Sequence, residues 1–122
     1  MDRVLVVDDE PEYLEELVEA LGFRGLATVS VGRGGDALDV LRRDPAIGTI
    51  LTDMRMPDMD GMALIRAVQD AFPGRKIHFL VMTGHAGHAD IAQAHAAGVV
   101  RCFAKPLAFD DLCEVLAELN GG

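Results

Sequence analysis

Five short apolar runs alternate with five stretches of helical periodicity along this chain, and that alternation limits its fold more than any other feature. The runs span residues 4–7, 26–31, 47–52, 77–82 and 99–104. Apolar, β-branched runs such as 4–7 and 77–82 read as strands buried on both faces. Residues 11–21 carry Leu14, Leu17, Val18 and Leu21 at three- and four-residue spacing, the stripe of an amphipathic helix. Pro11 suits the first helical turn, where its missing N–H is no loss, and Gly22 is placed to end the helix. Further helices are predicted over residues 35–43, 62–71, 88–97 and 109–119, with Asn120, Gly121 and Gly122 as a frayed end. Strands and helices in strict alternation imply an α/β fold, a parallel sheet covered by helices on both faces. At 122 residues the chain is expected to form one domain, residues 1–122.

Charge narrows the partners. A net charge of −9 supplies no basic face for counterion release on a phosphate backbone, which argues against direct contact with nucleic acid. Crowded acidic groups suit a cation instead. No apolar run approaches the roughly 18 residues of a membrane span, and the opening MDRVLVVDDE lacks a signal-peptide core. The expectation is a cytoplasmic protein with no membrane partner. Cys102 and Cys113 lie among apolar residues and read as reduced thiols in that compartment.

Ligands of doubly wound sheets bind beyond the carboxyl ends of the strands. The residues expected there are chemically pointed. Asp8, Asp9 and Glu10 follow the first strand, Asp53 the third, Thr83 the fourth, and Lys105-Pro106 the fifth. Carboxylates converging on one rim repel one another, and a hard divalent cation such as Mg²⁺ relieves that repulsion through oxygen ligands. Lys105 offers a point charge and Thr83 a hydroxyl, so with Mg²⁺ they could hold the oxygens of a phosphoryl group in transfer. Asp53, on a central strand, is the natural carboxylate nucleophile, and the Asp8–Asp9 pair is better placed to hold the metal.

Four segments, VLVVDDE at 4–10, ILTDMRMPDMDG at 50–61, VMTGHA at 81–86 and FAKPL at 103–107, resemble the receiver domains of bacterial response regulators. Their order and spacing cover essentially the whole chain. The resemblance implies a flavodoxin-like, doubly wound five-stranded parallel sheet with five helices and strand order 2-1-3-4-5. It implies Asp53 as phosphoacceptor, and Asp9, Asp53 and the main-chain carbonyl of Arg55 as Mg²⁺ ligands, with Asp8 acting through water. Thr83 would hydrogen-bond the phosphoryl group, Lys105 would pair with it, and the Lys105–Pro106 peptide would be cis. Pro57 and Gly61 would shape the loop after the acceptor. The implied partners are a histidine kinase or phosphotransfer protein as donor and a downstream protein or output domain as target. A homodimer through helix four, strand five and helix five, a face including His88, His95 and Arg101, is a further expectation. Self-phosphorylation and self-dephosphorylation are the implied chemistry, not turnover of a separate substrate.

The match departs at Cys102. Receivers commonly carry Tyr or Phe there, three residues before the lysine, and strand alternation turns the neighbouring Phe103 to the opposite face unless a bulge in the fifth strand shifts the register. Signalling is then expected to rest on Thr83 and loop repacking. Arg55 and His85, two residues after Asp53 and Thr83, are expected to modulate the lifetime of the phosphorylated state.

Other readings of the fold fit less well. A small-molecule phosphohydrolase would want a general acid close after the nucleophile and a cap, and Arg55 offers no acid. A flavin module would need a glycine- and hydroxyl-rich phosphate loop where this chain has DDEP. A degenerate receiver serving only as an interaction module would not need all the chemical positions, though Cys102 keeps that reading open. His88 and His95, about 10.5 Å apart along a helix, are too distant to share one zinc ion. The methionines between Met54 and Met82 read as core filler, and the acidic face of the first helix as solvated or kinase-facing.

Overall fold

The computed structural model describes residues 3–84 and 88–121. Its elements are β1 (Arg3–Val7), α1 (Pro11–Phe23), β2 (Thr28–Val31), α2 (Gly34–Arg43), β3 (Ile47–Asp53), α3 (Gly61–Ala71), β4 (His78–Thr83), α4 (His88–Ala96), β5 (Val99–Ala104) and α5 (Phe109–Gly121). The strands form one parallel sheet in the order β2-β1-β3-β4-β5, as expected from the alternation and the resemblance.

Two apolar layers enclose the sheet. Leu5, Val7, Ile50, Phe79 and Val81 point to one face, where Leu41 of α2, Ile65 and Val68 of α3 and Ala94 of α4 cover them. Val4, Val6, Leu51, Leu80 and Met82 point to the other, against Leu17 and Leu21 of α1 and Leu112 and Leu116 of α5. β3 is buried along its whole length. A strand that is central and covered on both faces has no polar alternation to keep, and its polar residues Thr49, Thr52 and Asp53 are buried with Ile47, Ile50 and Leu51.

Several element ends differ from expectation. α1 continues past Gly22 to Phe23, because the turn is made further on by Gly25 at φ 75°. There Gly25 N–H donates to Gly22 O and Leu26 N–H to Leu21 O, which satisfies the last carbonyls of the helix. Leu26 and Ala27 therefore belong to the connection, and β2 is only Thr28–Val31. α5 runs through Asn120 and Gly121, where a frayed end was expected.

Two register shifts are invisible in the apolar pattern. Arg3 pairs with Ile47 but Val4 with Thr49, so Gly48 is an extra residue in β3. Phe79 pairs with Val99 but Leu80 with Arg101, so Val100 is extra in β5. Each bulge flips the alternation, which lets Val99 and Cys102, three residues apart, share one face.

The loop after β3 is held tightly. Gly61 N–H donates to Met54 O at 2.8 Å, and the Asp60 carboxylate caps α3 by accepting from Ala63 N–H at 2.7 Å. A Cβ on Gly61 would lie 2.6 Å from the Asp53 carbonyl oxygen and 3.1 Å from Met54 Cα, backbone atoms that cannot swing aside. Gly61→Ala is expected to cost about 1–3 kcal/mol, seen as a lower urea midpoint at unchanged slope. Gly22→Ala, where nothing lies within 4 Å, should instead gain about 0.5 kcal/mol in the same assay.

Candidate functional site

Asp53 is the last residue of β3, Thr83 the last of β4, and Asp8 follows β1 directly. The parallel sheet brings these three ends to one rim. Lys105 follows β5, and its main-chain N–H donates to Thr83 O at 2.9 Å, continuing the ladder to the strand end. The peptide from Lys105 to Pro106 is cis, as expected.

The Lys105 ammonium is the hub. Its Nζ donates to Asp8 Oδ2 at 2.8 Å, to Asp53 Oδ2 at 3.1 Å and to Glu10 Oε1 at 3.3 Å. The other Asp8 oxygen accepts from Glu10 N–H at 3.0 Å, and the other Asp53 oxygen from Arg55 N–H at 3.3 Å. Carboxylate oxygens of Asp8, Glu10 and Asp53 lie within 4.8 Å of one another. A cleft of about 480 Å³ opens over them, lined by Asp9, Glu10, Asp53, Arg55, Thr83 and Lys105 among others.

Burial governs the protonation of this group. Desolvation pushes the Asp53 carboxyl above its ordinary range; the Lys105 and Arg55 hydrogen bonds pull it back, and the Asp8 charge adds to the rise. Burial likewise opposes charge on Lys105, but the carboxylates of Asp8 and Asp53 outweigh it and hold the ammonium firmly protonated. One ammonium facing three carboxylates leaves negative charge over. The donors are all oxygens, with no thiolate or imidazole among the three, which suits a hard divalent cation such as Mg²⁺.

The acidic residues at the rim are not equally close. Asp9 lines the cleft but is not part of the close carboxylate trio, where Glu10 joins Asp8 and Asp53. Asp8 is fully buried, while Asp9 is exposed. Arg55 lies at the cleft and Pro106 is exposed beyond Lys105. His85 lies outside the described residues. Cys102 is half-buried against the layer under α2, α3 and α4, and burial pushes its thiol pKa up. Phe103 packs into the opposite layer, as alternation required, and both cysteines are free thiols.

Two neighbours had no signal in the sequence. Tyr13 places its ring 4.8 Å from Lys105 Nζ, and the Asp58 carboxylate accepts from Gly34 N–H at 3.1 Å, tying the acceptor loop to the start of α2. Neither follows from periodicity, because each contact joins segments far apart in the chain.

The family model for the response regulator receiver domain matches residues 4–117. The chain belongs to that family. It is 31% identical over 118 residues to the two-component response regulator PprB of Pseudomonas aeruginosa, covering 96% of this chain and 43% of that protein. It is also 32% identical over 114 residues to the sensor histidine kinase RcsC of Salmonella typhi, covering 93% of this chain and 12% of that protein. The crystal structure of a response regulator receiver protein from Pseudomonas putida superposes with a TM-score of 0.90 at 28% identity, covering 96% of each chain. The chain spans less than half the length of the curated relatives it matches. Receiver domains are signalling modules of two-component systems that bind Mg²⁺ at an acidic pocket, and this chain carries the acidic cluster. No helix among the described residues is long and apolar enough to cross a membrane.

The raised carboxyl of Asp53 has a signed consequence. Such a group contributes stability below the ordinary aspartate value of 3.8 and loses it as pH rises through its folded value. At pH 7 the ionised, buried Asp53 is therefore a liability to the fold, and Lys105 keeps Asp8 and Glu10 without it. With EDTA present, Asp53→Asn is expected to unfold at higher urea concentration than the native chain at pH 7. That advantage should shrink as the pH is lowered through the carboxylate range.

Proposed function

We propose that this receiver is a phosphorylation switch in which Asp53 accepts a phosphoryl group from a histidine kinase or phosphotransfer protein. Residues 1–122 are read as the one domain that does so. The observation that carries the reading is the bridge of Lys105 Nζ between Asp8 and Asp53 at 2.8 and 3.1 Å, at the mouth of a cleft that Thr83 also lines. An Asp53 oxygen attacks phosphorus, the new P–O bond forms as the bond to the donor breaks, and the donor leaves with that electron pair. With acetyl phosphate the leaving group is acetate, and no proton need be transferred.

Each side chain then has a task. Lys105 neutralises charge on the transferring oxygens, and the Thr83 hydroxyl donates to one of them. Asp8, Asp9 and Asp53, with the Arg55 carbonyl, are the groups proposed to hold Mg²⁺, and Glu10 adds a carboxylate to that set. The ion supplies further charge neutralisation when bound. Burial of Asp53 favours the product, since the acyl phosphate moves charge away from the desolvated carboxyl toward the open cleft.

The shape change begins at Thr83 and Lys105, whose strand ends are hydrogen-bonded to each other. With Cys102 in the aromatic position and Phe103 7% exposed in the opposite layer, the movement is carried by Thr83 and the surrounding loops. The α4–β5–α5 face, where Val100 and Arg101 are exposed, is the surface offered to a downstream protein, an output domain or a second copy of the chain.

Incubation with Mg²⁺ and acetyl phosphate should add one phosphoryl group to the intact mass, and Asp53→Asn or EDTA should abolish the gain. A folded, Mg²⁺-loaded chain that gains nothing from either acetyl phosphate or a cognate kinase would sink the proposal. In the phosphorylated chain, Arg55→Ala and His85→Ala are each expected to change the decay rate several-fold. Decay unchanged in both would remove their modulating role.

A further inference from the structure

Tyr13, in the first turn of α1, approaches Lys105 from a direction the carboxylates do not. Its ring centroid lies 4.8 Å from Lys105 Nζ. Its hydroxyl oxygen accepts a hydrogen bond from the Leu107 main-chain N–H at 3.1 Å. The two contacts fall on either side of Pro106, so one side chain holds both the end of the lysine and the loop that carries it.

We propose that Tyr13 is a positioning residue for Lys105, its ring forming a neutral platform for the ammonium while its hydroxyl anchors the loop through Leu107. The proposal rests on the phosphorylation reading given above.

The chemistry favours an aromatic ring in this role. A lysine side chain has four rotatable bonds, and three carboxylates around Nζ would each draw it a different way. A ring face attracts a cation through its quadrupole without adding formal charge. It therefore steadies the ammonium without competing with the anion it must serve. When a phosphoryl group forms on Asp53, Lys105 has to exchange a carboxylate oxygen for a phosphoryl oxygen. The platform is unchanged by that exchange, whereas a fourth carboxylate would resist it. Burial pushes the Tyr13 phenol above its ordinary pKa, so the ring stays neutral through the physiological range. A leucine would fill the same apolar edge beside α5 but would give neither contact.

The sequence makes the test direct. Lysine occurs only at positions 76 and 105, and Lys76 is exposed. In the ¹H–¹³C spectrum of the lysine ε-methylene groups, Lys105 should be shifted by the ring current and Lys76 should serve as the internal reference. Native chain, Tyr13→Phe and Tyr13→Leu are compared, with urea midpoints to confirm folding. The Lys105 shift is expected to persist in Tyr13→Phe and to vanish in Tyr13→Leu. With Mg²⁺ and acetyl phosphate, Tyr13→Leu should lower the maximal phosphorylation rate about tenfold, and Tyr13→Phe only two- to threefold. The acetyl phosphate concentration giving half the maximal rate should barely move. A Lys105 resonance unaffected by Tyr13→Leu, or a Tyr13→Leu chain phosphorylated as fast as the native one, overturns the proposal. So does a Tyr13→Phe chain as slow as Tyr13→Leu. If the native chain itself takes no phosphoryl group while the spectra behave as expected, the phosphorylation reading fails and the positioning of Lys105 by Tyr13 stands.

Discussion

The charge balance around Lys105 is the interaction on which the rest of this molecule depends. Its ammonium, just beyond β5, joins Asp8 and Asp53, 97 and 52 positions away in the chain at the ends of β1 and β3. Without it, three carboxylates would face one another across less than 5 Å, one of them fully buried. Like charges so placed disfavour each other's ionisation, and the fold would have to neutralise or separate them. The parallel sheet fixes the separation, because Asp8, Asp53 and Lys105 each follow or end a strand whose register is set by the ladder. The same arrangement that requires a cation therefore holds the carboxylates in place for one.

That balance is incomplete, and the incompleteness is what gives the site its chemistry. Lys105 offers one positive charge to three carboxylates, and burial still raises the Asp53 carboxyl despite two hydrogen bonds to it. A fully compensated cluster would be inert. On the proposed reading, a divalent cation and a phosphoryl group would enter as complementary charges, the first meeting the excess of oxygens and the second meeting Lys105 and Thr83. Acceptance of both would then rest on the electrostatics at the strand ends, and family membership adds the signalling context of receiver domains.

Much of this was legible in the sequence because it follows from period and position. An apolar run bounded by turn residues gives a strand, alternation with helices gives a parallel sheet, and the residue after each strand lands at the rim. Asp53, Thr83 and Lys105 could be placed on that logic alone. The bulges at Gly48 and Val100 could not, since each adds one residue inside a run without ending it. Glu10 is placed at the rim with Asp8 and Asp9 by that logic, but the turn after Asp8 that swings its carboxylate onto Lys105 has no sequence pattern. Tyr13 falls within the helix expected over residues 11–21 but outside the stripe of Leu14, Leu17, Val18 and Leu21. Its role depends on where the loop after β5 passes, which no local pattern encodes.

The two ends of the sheet also solve the problem of unpaired helix ends differently. Away from the site, the Arg75 guanidinium reaches under α2 and donates to the carbonyls of Leu41, Asp44 and Ile47, while stacking on Phe72 at 5.5 Å. One rigid, permanently charged fork thus closes the end of α2 and the entry to β3 together. At the site end, α3 is capped by Asp60 and the start of α2 by Asp58, both from the loop that follows Asp53. α1 has Glu10 at its N-cap and no side-chain cap, the Glu10 carboxylate being turned to Lys105 instead. The acceptor loop therefore supplies the caps of two helices, and a change in that loop acts on both at once. In the proposed switch, a phosphoryl group on Asp53 would act at the head of this loop, on the face of the sheet that α2 and α3 cover, while Arg75 ties α2 to the entry of β3 at the opposite end.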